Sequence, residues 1–443
     1  MIELLLVCTL LADPSEWWEN YGDPVLADLI KRATVLNLEV RKALARVAES
    51  RALAGQSRAA LAPLVSFNAS AQQLRGGFQN GIIRIPQSGP GGGPTLIAPF
   101  ETGLLSTGGE MRWELSFWGP NARQLDAARA DALAAEESAD EVRLIVAAEV
   151  ARAYFEWRGA HQQLEVLERN RRRQADLLEL TRQRALAGLA TQLDVELQAS
   201  LLAALEAAMP RRESLRQIQL HRLAVLVGDR SLVDKPPPDE FRPPAMPPVG
   251  GGIDSVLLLR RPDVRAAHAR ILAAAARLKA ARSDLYPRVI LTGLSGRQAT
   301  NLSGLSLGGG NLFGIGPQLL LPIFTGGRLR ANIAAHDARL EAAKLEYEQE
   351  LLAAFREAED AIAAYRAELA RLARLGDASA AAHSALALAR DLYQAGLGDF
   401  LGVLDAERTV LELDQAIAET RTSALVQSAH LFKALAGGWP TVK

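Results

Sequence analysis

The residue types that most often carry chemistry are few and scattered in this chain. Six histidines stand at His161, His221, His268, His336, His383 and His430. No two share the spacing of a zinc-protease helix, and the single cysteine, Cys8, neighbours none of them. The residues present call for no metal and no cofactor. The glycine runs Gly91-Gly92-Gly93 and Gly308-Gly309-Gly310 lack the strand–glycine–helix context of a phosphate loop. Gly326-Gly327-Arg328 has no Lys-Ser/Thr pair and reads as a turn into a helix. Serine is frequent, but no nucleophile elbow is present. The expectation is a protein that is not an enzyme. The basic run Arg169-Asn170-Arg171-Arg172-Arg173 spreads around a helix with Glu165, Glu168 and Asp176 beside it, which fits a solvated face or a partner contact. With a formal net charge of −1, nucleic acid is not an expected partner.

Two places keep a chemical reading. Cys8 lies in the apolar stretch Met1–Ala12 and is a candidate lipidation site. Glu3 stands there where a secretion signal carries Lys or Arg, and Val7 precedes the cysteine where a small residue is usual. A buried or incidental thiol is the other reading of Cys8. The second place is the run from Asp391 to Arg408, which brings Tyr393, Leu401 and Asp405 close to a helix break at Gly396. On a helix, Asp405 has Arg408 one turn away as an ion-pair partner.

Long helices must position these residues. The chain has 443 residues, of which 49% are hydrophobic and only 5% aromatic, because Ala and Leu supply most of the apolar content. No stretch of about 18 uncharged apolar residues occurs, so no transmembrane helix is expected; a membrane β-barrel stays open. Three landmarks recur in order: Ser57–Val65 with Ala281–Val289, Leu115–Pro120 with Leu321–Gly327, and Ala187–Thr191 with Ala395–Asp399. They indicate an internal duplication. Each half reads helix, strand, loop, strand, very long helix, break, helix. The helical stretches are Asp23–Ala62, Asn121–Ala187, Leu189–Val227 (with Pro210 as a kink or stop), Asp254–Leu285, Arg328–Gln394 and Leu397–Leu435. The longest would reach about 100 Å and needs partners along its length, as in a coiled coil.

Strand-like alternation covers Val65–Leu74 and Glu110–Trp118, and more weakly Val289–Arg297 and Gly314–Phe324. About ten residues of strict alternation fit a membrane barrel, with Trp113, Phe117, Trp118 and Phe324 as an interfacial girdle against outer-membrane lipid. A half-buried soluble hairpin has the same period. Residues 75–108 and 298–313 read as Gly- and Pro-rich loops. Four strands cannot close a barrel, whereas three chains would supply twelve. The fold class expected is mainly α with membrane β. Its segments are 1–62 (N-terminal segment and first helix), 63–119 (first β-hairpin), 120–233 (long helix and its pair), 234–253 (a Pro/Gly linker), 254–286 (helix), 287–327 (second hairpin) and 328–443 (long helix, break and C-terminal helix).

An ordered set of motifs runs through the chain: Trp17-Trp18, Asp23-Pro24-Val25-Leu26, Arg260-Arg261-Pro262-Asp263-Val264, Leu321-Pro322-Ile323-Phe324-Thr325-Gly326-Gly327-Arg328, Val403-Leu404-Asp405-Ala406 and Leu431 to Trp439. It resembles the TolC-like outer-membrane efflux proteins, in the lipoprotein branch that serves resistance–nodulation–division pumps. The resemblance implies a homotrimeric channel-tunnel with a twelve-stranded barrel in the outer membrane and a helical barrel in the periplasm. It implies a passive exit duct for drugs and toxic small molecules, working with a periplasmic adaptor and an inner-membrane pump. It also implies a periplasmic gate in which Leu401 forms an apolar ring, Asp405 a carboxylate ring, and Tyr393 helps to hold the coils shut. Leu392 stands where relatives often carry a basic residue before the tyrosine. The alternatives are the outer-membrane duct of a type I protein secretion system and a soluble trimeric coiled-coil scaffold.

Overall fold

A computed structural model describes residues 14–76, 100–238, 246, 255–302 and 305–437. Cys8 and most of the 234–253 stretch lie outside the described residues. A 3-10 turn at Pro14–Tyr21 leads into α1 (Pro24–Leu36), α2 (Leu38–Ala59), β1 (Leu64–Gly76), β2 (Phe100–Leu115), α3 (Pro120–Leu186) and α4 (Gln192–Val227). After the short α5 (Ser231–Asp234) and α6 (Ser255–Leu258) come α7 (Pro262–Ser283), β3 (Arg288–Leu302), β4 (Leu305–Leu320), α8 (Arg328–Gln394) and α9 (Phe400–Ala434). The two halves correspond closely. Both α2 and α7 have 22 residues, both α3 and α8 have 67, and α4 and α9 have 36 and 35.

Local chemistry sets the helix ends. Asp23 caps α1 by accepting from the Val25 and Leu26 amides, with Pro24 in the first turn. The single helix expected over Asp23–Ala62 is two helices, broken at Asn37. The Asn37 Oδ1 accepts from the Glu39 and Val40 amides at 2.8 and 3.2 Å, and its Nδ2 donates to the Leu226 carbonyl at 2.7 Å. A side chain that competes with the backbone in this way carries no Pro or Gly mark, so apolar periodicity runs straight through it. Pro210 does not stop α4, which continues to Val227 with Leu205 and Leu220 buried on either side.

The chain forms two compact units. One comprises Glu49–Ala132 and Ala269–Lys344 and contains an antiparallel sheet in the order β1-β2-β3-β4. Its register pairs Val65 with Met111, Trp113 with Leu291 and Ser295 with Phe313, so these share one face with Phe67, Ile315 and Leu319. Ser66, Asn68, Glu110, Arg112, Thr292 and Gln318 occupy the other face. The strands differ from the expected spans. β2 starts at Phe100 and β4 at Leu305, within stretches expected as loops. For β2 the reason is visible at Gly108, which stands opposite Gly296 of β3. A Cβ on either would collide with the backbone of the facing strand, so glycine here permits close strand pairing and does not break it. At their other ends β2 and β4 stop at Leu115 and Leu320, short of the expected Trp118 and Phe324. The chain leaves the ladder ahead of Gly119 (φ +73°) and Pro322.

The other unit comprises Met1–Ala48, Leu133–His268 and Leu345–Lys443. Its core holds Trp17, Tyr21, Tyr154, Phe155, Trp157 and Phe432, with Trp17 stacked on Phe432 at 5.1 Å. Beside a second apolar cluster, buried Arg261 donates to Asp263 (2.7 Å), Glu357 (2.6 Å) and the Ala434 carbonyl (2.7 Å). Lys433 also reaches Glu357 at 2.8 Å. This network ties the start of α7 and the end of α9 to one point on α8.

Candidate gate and membrane belt

The gate candidates lie at the α8–α9 break. α8 ends because Gly396 takes a left-handed conformation (φ +72°), and the Leu397 amide closes back onto the Leu392 carbonyl at 2.9 Å. α9 restarts at the cap Asp399, which accepts from the Gly402 amide at 3.0 Å. The α3–α4 break repeats the design. Gly188 has φ +73°, the Leu189 amide reaches the Arg184 carbonyl at 2.8 Å, and Thr191 and Asp194 form a capping box.

Two faces of α9 result. Phe400, Val403, Glu407 and Val410 are buried, and Leu386 of α8 packs with Val403 and Val410. Arg390 of α8 donates to the buried Glu407 at 2.7 Å. Leu401 (59% exposed) and Asp405 lie away from that seam, one turn apart on the same side. Among the described residues Asp405 has no ion-pair partner. Arg408, its candidate partner from the sequence, is committed to Glu412 at 2.9 Å.

Tyr393 sits half-buried at the end of α8, its ring 5.5 Å from that of Phe400. The guanidinium of Arg184, from α3, lies 4.6 Å from the centre of the tyrosine ring. Leu392 beside Tyr393 is apolar, so the cation at this ring comes from another helix. The sequence does not mark Arg184 for this place, because the two residues belong to different halves of the chain and nothing local identifies either as the other's partner.

The belt candidates lie in the sheet unit. Trp113 is half-buried inside β2, and its Nε1 donates to the Leu61 carbonyl at 2.9 Å. Phe117, Trp118 and Phe324 lie past the strand ends and are exposed, Phe324 to 90%. Trp118 stacks on Tyr286 with ring centroids 6.4 Å apart. The sequence does not single out Tyr286 either, since it stands in the turn before β3, where no alternation reaches. Exposed aromatic rings at the strand ends are poor company for bulk water and suit a membrane interface. Among the described residues no helix is long and apolar enough to cross a membrane.

Comparison with known proteins gives a consistent answer. The family model described as outer membrane efflux protein matches residues 29–229 and 255–437. The chain is 32% identical over 433 residues to the toluene efflux pump outer membrane protein TtgF of Pseudomonas putida, covering 96% of this chain and 86% of that one. It is 32% identical over 432 residues to the outer membrane protein OprJ of Pseudomonas aeruginosa, covering 96% and 87%. Among solved structures, the outer-membrane channel OprN matches with a TM-score of 0.82 at 31% identity, over 96% of this chain and 93% of that one.

Proposed function

The chain belongs to the outer membrane efflux protein family, and on that premise we propose that three copies close one exit duct for small molecules passed on by an inner-membrane pump and a periplasmic adaptor. Its location is the outer membrane and its part is the channel of an efflux assembly, as in a family of ducts rather than enzymes.

One observation carries the homotrimer: faces that are covered in the middle of the chain's own repeat are bare at its edges. Buried Ala127 of α3 and Ala276 of α7 lie next to the Arg277–Asp131 ion pair that joins those helices. Helix for helix, Ala127 corresponds to Ala335 of α8, and Ala276 to Ala52 of α2. Both of these alanines are exposed. The sheet is open in the same way, with β1 and β4 at its edges. A second copy that set its α2 and β1 against α8 and β4 would cover the bare faces and repeat the internal contact. Three copies supply the twelve strands of a closed barrel.

The gate reading is supported by the free carboxylate of Asp405, carried on the same side of α9 as exposed Leu401. Three copies of Asp405 around one axis would attract cations and repel anions at the narrowest ring. Tyr393, held by Arg184 and Phe400, stiffens the hairpin that carries them. The chain purified in detergent and reconstituted in planar bilayers is expected to run as a heat-resistant trimer and to give single-channel conductance. A water-soluble chain that neither enters the bilayer nor conducts would support the scaffold reading instead.

A further inference from the structure

Among the described side chains, one cation stands on the apolar face of the sheet. Arg297 of β3 shares that face with Val289, Leu291 and Ser295, and in register it lies between Thr107 of β2 and Asn311 of β4. All three side chains are exposed, and among the described residues no carboxylate pairs with Arg297. Toward lipid, an unpaired arginine is costly at the bilayer midplane and nearly free of cost at the interface. Its height decides which applies. α7 and α8 adjoin the sheet at the end marked by Arg288 and Leu320, and the aromatic belt with Trp118, Tyr286 and Phe324 is there. Arg297 stands well beyond Val289 in the same strand. With a rise near 3.3 Å per residue and a tilt of about 40°, it lies roughly 20 Å above Val289 and about 25 Å or more above the belt, about the height of a membrane barrel's apolar band.

We propose that Arg297, flanked by Thr107 and Asn311, binds a phosphate group of an outer-leaflet lipid at the outer rim of the barrel. The guanidinium presents a planar fork to two phosphate oxygens, and the flanking hydroxyl and amide add donors on either side. No acidic side chain shares the row to repel an anion. The inference rests on the barrel reading, since only a membrane-inserted sheet brings this row to a lipid headgroup.

The test reconstitutes the full-length trimer in phosphatidylcholine vesicles containing either diphosphorylated lipid A or the same lipid with its phosphates removed. Native mass spectrometry after detergent extraction counts the lipid retained. The wild type is expected to retain the phosphorylated form roughly tenfold over the other, Arg297→Gln to lose most of that preference, and Arg297→Lys to keep part of it through charge without the bidentate fork. An Arg297→Gln trimer with the wild-type preference overturns the proposal. So does equal retention of both lipids by the wild type, or displacement of the lipid by inorganic phosphate alone, which would mark a free-anion site. A chain that enters neither vesicle overturns the barrel reading itself.

Discussion

Single side chains at the proposed gate hairpin include an exposed carboxylate, Asp405, and a well-anchored support, Tyr393. Among the described residues Asp405 has no ion-pair partner, Arg408 having turned to Glu412, while Tyr393 is gripped by Arg184 and Phe400. Removing the proposed charge ring and the anchored tyrosine ring together is therefore expected to loosen the proposed constriction. The double variant Asp405→Ala/Tyr393→Ala should show higher single-channel conductance than the wild type, and unchanged conductance would count against these residues as the gate. Glu357 carries a pH dependence. Burial alone would raise its carboxyl, but the hydrogen bonds from Lys433 and Arg261 outweigh it and leave the group below the ordinary carboxylate range. A lowered folded value means stability that is present above the unfolded carboxylate range and lost as pH falls through the folded one. Thermal stability should drop on acidification through and below that range, and Glu357→Gln should flatten this part of the profile. An unaltered profile in the variant would show that Glu357 does not set it. Such residues are legible in the sequence where a motif is contiguous, as in the run around Asp405. Arg184 is not, because its partner is set only by the packing of α3 against the end of α8.

Helix lengths and breaks follow from a handful of caps. Gly396 and Gly188 allow the left-handed turns that Ala would strain, so Gly396→Ala should cost about 1–2 kcal/mol and lower the thermal midpoint. Asn37→Ala removes the cap of α2 and should cost about 1 kcal/mol, with partial fraying of α2 in amide exchange near Leu38–Val40. Protection there equal to wild type would mean that the Asn37 side chain does not set the break. These two breaks also show what a single sequence can reveal. Gly396 is readable because glycine and its repeat at Gly188 announce a helix end. Asn37 is not, because its role depends on the Leu226 carbonyl receiving its amide. The strand ends depart from the sequence expectation for a related reason: Gly108 and Gly296 look like breakers along the chain, yet across the ladder they are the residues that let two backbones approach.

The duplication explains which faces of one chain the proposed trimer would cover. Each half builds the same helix–hairpin–helix series, and the joint between halves uses small residues and crossing ion pairs, as between Arg265 and Glu137. The alanines of α2 and α8 that correspond to the buried pair of that joint are exposed. Three short landmarks make the duplication legible, but not which faces it leaves bare, because burial depends on neighbours whose arrangement the sequence does not spell out. In the proposed trimer a second copy covers these faces in the way α3 and α7 cover each other. Cysteines placed at Ala52 and Ala335, with Cys8 replaced by serine, probe that seam when the protein is oxidised in outer-membrane fractions. Disulfide-linked dimers and trimers that collapse to monomer on reduction are expected, with neither single-cysteine variant forming them. A trimer that stays uncrosslinked in the double-cysteine variant would refute the seam, and a chain that remains monomeric in the membrane would refute the duct.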